Sequence, residues 1–155
     1  MTRKLIKNVL TEEDARKLAS VNSGALGSFR DCPTVVGRVI QKALEEVPGL
    51  ETDGKAYWRV ETTSGHKIHN DMGFKFNDDL SLSGGGHMQW CKYGSSCLLV
   101  PPDSFKGGEF TYYEPEENPP VEDHYLGLVI HDSKQLHGVN PVSQGTRIVL
   151  LMFFS

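Results

Sequence analysis

Leu136-His137-Gly138-Val139-Asn140-Pro141-Val142-Ser143-Gln144-Gly145-Thr146-Arg147-Ile148-Val149-Leu150-Leu151-Met152-Phe153 nearly closes the chain, and its texture decides the fold class. Gly, Asn and Pro punctuate its first half, and a β-branched, apolar run follows, which predicts a final strand over Arg147–Phe153. Working back from there, every segment after residue 54 shows the same habit of short β-branched or aromatic runs between Gly, Pro, Asn and Asp. Strands are expected at Ala56–Thr62, Lys67–Met72, Ser96–Val100, Glu109–Tyr113 and Tyr125–Ile130, with weaker signals at Phe74–Phe76 and Met88–Lys92. Asp78–Gly86, nearly all small from Ser81 on, and Glu114–Asp123, rich in Pro and Glu, carry no period and read as loops.

Helical spacing is confined to the first 50 residues. Thr11 can cap a helix whose first turn is Glu12-Glu13-Asp14 and whose apolar residues are Ala15, Leu18 and Ala19, which predicts a helix over about 12–20. Pro33 opens a second one, with Val36, Val39, Ile40, Ala43, Leu44 and Val47 at three- and four-residue steps until Pro48-Gly49 stops it. Two helices before seven or eight short strands indicate a mainly β chain with flanking helices (α+β), a jelly-roll sandwich with the helices packed on one sheet. At 155 residues the chain suits a single domain, with a helical cover over 1–50 and a β core over 54–155.

Sixteen basic against twenty acidic residues give a formal charge of −4, the wrong sign for phosphate-driven association, so nucleic acid is not the expected partner. No apolar run approaches the roughly 20 residues that span a bilayer, and the N-terminus lacks the apolar core of a secretory signal. Cys32, Cys91 and Cys97 have no zinc spacing. A reduced, cytoplasmic protein with no membrane attachment is expected.

His69 and Asp71 lie two residues apart in a predicted strand and so project from one face. With six histidines in the chain this triplet alone arises easily by chance. The signal sharpens with His137, a third potential ligand, followed ten residues later by Arg147 on the apolar last strand. Two imidazoles and one carboxylate on one face of a metal leave three adjacent positions open, the arrangement of non-haem iron centres that accept a bidentate co-substrate and dioxygen. An arginine aimed into an apolar interior is costly to bury unpaired, and its planar fork matches a carboxylate such as the distal one of 2-oxoglutarate. A salt bridge from Arg147 to Asp71 or Glu109 is the plainer alternative. His66, His87, His124 and His131 read as surface or hydrogen-bonded residues. Adjacent His131 and Asp132 face opposite ways on a strand, and His66 is a candidate to orient a ligating ring. Gly107-Gly108 reads as a turn, and the acidic run from Glu114 to Asp123 as a solvated loop.

These segments together resemble the prolyl 4-hydroxylase-like branch of the iron(II)/2-oxoglutarate-dependent oxygenases. Lys4 to Leu18, containing Val9-Leu10-Thr11-Glu12-Glu13, is similar to the family's opening turn and helix. Gly65 to Asp71 resembles its first metal motif, Lys106-Gly107-Gly108-Glu109-Phe110 the Gly-Gly-Glu that begins a later strand, and Leu136 to Arg147 its closing motif. The resemblance implies a double-stranded β-helix (cupin-like) core, His69, Asp71 and His137 as ligands of Fe(II), and Arg147 on the distal carboxylate of 2-oxoglutarate. It further implies O2-dependent hydroxylation of an amino-acid side chain with decarboxylation of 2-oxoglutarate to succinate, ascorbate being a candidate accessory reductant. A prolyl residue in a peptide or protein is the substrate expected on this basis. The same chemistry on a free amino acid, nucleobase or small metabolite, and a non-catalytic cupin-like metal-binding module, are the alternatives.

Two departures from the family pattern stand out. The strand before Gly-Gly-Glu often supplies a tyrosine to the co-substrate carboxylate, but here it reads Cys97-Leu98-Leu99-Val100-Pro101, leaving Tyr57, Tyr93 and Tyr112 as unranked candidates. Val149 stands two residues past Arg147 where the plant-type branch has serine.

Overall fold

The fold is organised around β13 (Arg147–Phe154), an apolar run buried on both faces along most of its length. In a computed structural model, which describes residues 3–21, 27–50, 57–72, 75–76, 82–83, 88, 90–113 and 124–155, this strand pairs antiparallel with β3 (Tyr57–Thr63) on one side and β7 (Tyr93–Leu98) on the other. β10 (Leu128–Asp132), β1 (Arg3–Ile6) and β2 (Gly27–Ser28) complete a six-stranded sheet ordered β1-β10-β7-β13-β3-β2. A second sheet runs β6-β5-β4-β11-β9, from Leu82–Ser83, Lys75–Phe76, His66–His69, Leu136–Val139 and Phe110–Tyr113. β8 (Phe105–Gly107) and β12 (Val142–Gly145) form a separate ribbon.

Period-two alternation gives the large sheet two different faces. Trp58, Val60, Leu150, Met152 and Phe154 point outward and join Ala15, Leu18, Val36, Val39, Ile40 and Ala43 of the helices in the main apolar core. Those helices are α1 (Glu12–Ala19), capped by Thr11 accepting from the Asp14 amide at 3.1 Å, and α2 (Thr34–Glu46), entered through Pro33. Arg147, Val149, Leu151 and Phe153 face the other way and line a cavity between the sheets. The helices therefore seal the outer face, while the inner face is left for chemistry.

Both helices and the mainly β architecture follow the sequence expectation, with differences in detail. The first 50 residues are more than a helical cover, because β1 pairs with β10 along Arg3–Ile6. Its Arg and Lys, usual on an edge strand, hide the apolar period. Met88–Lys92 is not a strand: the Cys91 amide donates to the Met88 carbonyl at 3.0 Å, closing a turn. The strand expected from Tyr125 begins instead at Leu128, after Leu126 takes a left-handed φ of 61° ahead of Gly127. Phe74 falls outside the described residues, as do Glu114–Asp123 and all of Asp78–Gly86 except Leu82–Ser83.

Gly107 and Gly108, with φ of 75° and 68°, turn the chain out of β8 in a conformation that favours glycine. A Cβ on Gly108 would lie 3.0 Å from Arg147 Cδ, so this turn also leaves room for the arginine. Among the described residues no helix is long and apolar enough to cross a membrane. All three cysteines are free, and burial pushes the Cys91 and Cys97 thiols up to about 12.

Leu150 is fully buried where β13 meets the helices. Leu150→Ala should cost about 2–5 kcal/mol in denaturant unfolding. A loss below about 1 kcal/mol would contradict the outward-facing core.

Candidate metal centre

Antiparallel pairing of β4 with β11 sets His69 directly opposite His137 and brings the ring centroids to 4.4 Å. Both rings are held in the same manner. His69 Nδ1 lies 2.7 Å from the Lys67 carbonyl and His137 Nδ1 lies 2.8 Å from the Gln135 carbonyl, each two residues earlier in the chain. A carbonyl only accepts, so each Nδ1 carries a hydrogen and Nε2 is the atom left to meet a metal. Burial alone would lower the His137 ring, but the Asp71 carboxylate beside it holds it above its ordinary value, so a metal there would displace a proton.

Asp71 arrives by a different route from the one expected. β4 ends at His69, because the Asn70 side chain accepts from the Met72 amide at 3.0 Å and turns the chain. The Asp71 amide then donates to the Ser133 carbonyl at 3.0 Å, which ties the turn to the end of β10. From there Asp71 Oδ1 reaches to 3.2 Å from His137 Nε2. One ligand atom from each of His69, Asp71 and His137 lies within 4.8 Å of the others. The three residues expected from sequence therefore converge, with Asp71 carried on a turn rather than on a shared strand face.

Burial alone would raise the Asp71 carboxyl, but His137 and His131 facing it hold it well below the usual carboxylate range. His69 is pushed down to about 4, first by burial and then by the neighbouring His137. Asp71 is thus an anion and His69 a neutral imidazole near neutral pH. Two imidazoles that present Nε2 and one carboxylate suit a first-row divalent ion and leave half of an octahedron open.

Arg147 is 2% exposed, and its Nη2 is buried with no hydrogen-bond partner among the described residues. Neither Asp71 nor Glu109 forms an ion pair with it among the described residues. Burial pulls the guanidinium down to about 10, with the Glu61 charge acting in the opposite sense. Its charge in turn helps burial to push His124 down to about 3, and His124 Nε2 lies 3.3 Å from Ser96 Oγ. Arg147, Ser96 and the three converging side chains line one cavity. An unpartnered guanidinium in such a wall has the chemistry to receive a carboxylate.

Several other residues at the site were not singled out by sequence reasoning. Arg59 and Glu61, on the inner face of β3, form an ion pair at 2.7 Å, and Glu61 also meets His66 Nε2 at 3.0 Å. His66 thus serves Glu61 and not a ligating ring, whose orientation the backbone supplies. Of the three candidate tyrosines, Tyr57 packs against Trp90 at 5.4 Å and Tyr93 against the main core. Tyr112 is close to the site, but its hydroxyl lies 2.8 Å from His131 Nδ1. His131 Nε2 in turn contacts Asp71 Oδ2. Gly94 faces this contact, and a Cβ there would collide with Asp71 Oδ2 and lie 2.6 Å from His131 Nε2.

A viral collagen prolyl hydroxylase from Paramecium bursaria Chlorella virus-1, solved as its 2-oxoglutarate complex, superimposes with a TM-score of 0.64 at 13% identity, covering 99% of this chain and 95% of that one. The fold is that of the prolyl 4-hydroxylase-like oxygenases. A Trichoplax adhaerens prolyl hydroxylase, in complex with a peptide fragment of the hypoxia inducible factor oxygen degradation domain, superimposes with a TM-score of 0.61 at 16% identity, over 99% of this chain and 82% of that one. In sequence, a PKHD-type hydroxylase of Crocosphaera subtropica is 25% identical over 169 residues, spanning 94% of this chain and 75% of the relative. No family model matches the chain. The double-stranded β-helix expected from the motifs is thus the observed fold, and the converging residues lie inside it, between the two sheets.

Gly94→Ala should leave the chain folded but displace Asp71. Its affinity for cobalt(II), measured by anaerobic titration, should fall at least about tenfold. An unchanged affinity would mean that Asp71 does not ligate from this position.

Proposed function

We propose that this chain is a single-domain oxygenase over residues 1–155, in which His69, Asp71 and His137 hold one Fe(II) and Arg147 holds the distal carboxylate of 2-oxoglutarate. The observation that carries the reading is one cavity uniting three convergent donors with a buried guanidinium that has no partner among the described residues. With iron, 2-oxoglutarate and O2 bound, such a centre supplies oxidative decarboxylation to succinate and carbon dioxide, coupled to placing a hydroxyl on a substrate carbon.

The protein's share of the work is positioning and exclusion. Carbonyl-fixed Nδ1–H groups turn both Nε2 atoms toward the ion. Arg147 orients the co-substrate from the sheet opposite His69 and His137, in the cavity that Ser96 also lines. Phe110, stacked on His137 at 5.5 Å and an interplanar angle of 9°, and Val139 shield the donors from water. Arg59, Glu61 and His66 form the polar wall of the same cavity, the side from which a substrate is met.

The substrate favoured is a prolyl residue in a peptide or protein, by analogy with the prolyl hydroxylases that share the fold and with the peptide-bound relative among them. The Arg59–Glu61 ion pair inside the cavity favours a second reading, a charged free amino acid or small metabolite. A non-catalytic metal-binding module is disfavoured, because it has no use for a buried arginine whose Nη2 has no hydrogen-bond partner among the described residues. A cytoplasmic setting suits ferrous iron and free thiols.

Anaerobic Fe(II) plus 2-oxoglutarate should give a metal-to-ligand absorption band in the parent and none in Asp71→Ala or His137→Ala. A band of full intensity in either variant would remove the assigned site. Arg147→Ala should weaken 2-oxoglutarate binding by about 1.5–3 kcal/mol while metal binding persists, and equal co-substrate affinity would dismiss the clamp. Succinate release and a gain of one oxygen, scored by mass spectrometry against peptide and metabolite pools, distinguish the two substrate readings.

A further inference from the structure

We propose that His131 is a positioning residue for the metal ligand Asp71, donating from Nε2 to Oδ2 so that the carboxylate offers the ion a single oxygen. The inference rests on the metal site proposed above. It concerns a residue that neither its strand position nor a lone-histidine reading marks as functional.

Hydrogen-bond bookkeeping fixes the direction of the contact. A charged carboxylate only accepts, so His131 Nε2 carries the hydrogen in its contact with Asp71 Oδ2. In a neutral ring Nδ1 is then an acceptor, and the hydroxyl 2.8 Å away makes Tyr112 its donor. A doubly protonated ring would instead donate to the Tyr112 oxygen and leave the phenol hydrogen in need of an acceptor. No other hydrogen bond to that hydroxyl occurs among the described residues. The chain is therefore Tyr112 O–H to His131 Nδ1, then His131 Nε2–H to Asp71 Oδ2. Its three members are 1%, 2% and 7% exposed, so water does not compete for these bonds. With its Nε2 lone pair taken up by hydrogen, His131 is not itself a ligand.

The two carboxylate oxygens of Asp71 are thereby divided. Oδ1 lies 3.2 Å from His137 Nε2, on the side where the ligand atoms meet, while Oδ2 is engaged by His131. A carboxylate that bound through both oxygens would occupy a fourth of six positions on the ion. Only two would then remain, and a bidentate 2-oxoacid needs both, leaving none for O2. Holding Oδ2 aside keeps the third position open. The β7–β10 register sets Gly94 opposite His131, and the missing side chain there is the space in which Asp71 and His131 meet.

Four variants test the assignment: His131→Phe, which keeps a ring without a donor; His131→Gln, whose amide nitrogen reaches the Nε2 position; His131→Asn, whose amide stops near the Nδ1 position; and Tyr112→Phe. The readouts are the Co(II) dissociation constant and visible ligand-field spectrum, the 2-oxoglutarate dissociation constant of the Co(II) form, and the unfolding temperature without metal. His131→Phe should bind Co(II) roughly 10–100-fold more weakly with an altered spectrum. His131→Gln should stay within about threefold of the parent, His131→Asn should resemble His131→Phe, and Tyr112→Phe should lose less than either.

Parent-like affinity and spectrum in His131→Phe would overturn the proposal. So would equal losses in His131→Gln and His131→Asn, which would point to ring packing alone. If His131→Phe does not fold, the comparison of Gln with Asn decides the matter. A parent protein that binds no divalent ion at all would sink the proposed metal site itself, an outcome distinct from either of these.

Discussion

A guanidinium sealed inside a β-sandwich is the constraint on which this structure turns. Removing a charge from water without a partner costs several kcal/mol, and Arg147 sits at 2% exposure on an otherwise apolar strand. The surrounding chain is arranged to tolerate it. β13 is held between two neighbours along nearly its whole length, so the backbone cannot shift to expose the side chain. The left-handed Gly107-Gly108 turn leaves it space, and the Glu61 charge offsets part of the cost.

The division of labour between the sheet's faces follows from the same strand. Its outward residues meet the helices and supply the bulk of the apolar burial. Between the sheets lies a smaller apolar cluster of Phe110, Tyr112, Val129 and Val139, beside the inward-facing Val149, Leu151 and Phe153. Stability and chemistry thus use alternate residues of one strand, which lets the inner face carry charges that an apolar core could not accept. Arg59 and Glu61 alternate with Trp58 and Val60 on β3 in the same way.

The legible parts of the sequence were those with a strong local pattern. Thr11 with its acidic first turn, the heptad-like spacing of α2 and the apolar run of β13 each announce an element without help from distant residues. His69, Asp71, His137 and Arg147 could be picked out because their residue types and order are chemically restrictive. What stayed hidden depends on contacts between remote segments. β8, β11 and β12 have three or four residues each, too few to show a period. Arg59 and Glu61 look like the solvent face of a strand until a second sheet covers them. The contact of His131 with Asp71 joins residues 60 apart, and Gly94 matters only because both of them pass over it. Asp71 itself was placed by the right motif for a partly wrong reason, since the Asn70 turn and not strand periodicity aims it.

That turn also makes the site a joint. His69 and His137 belong to the smaller sheet, whereas Asp71 is fastened through its amide to Ser133, just past the end of β10 in the larger one. A cation gripped by all three would act as a rivet between the two layers, bound by the folded chain and not by the open one. Loading the metal should then stiffen the whole sandwich, and the energy of coordination becomes part of what keeps the layers from parting.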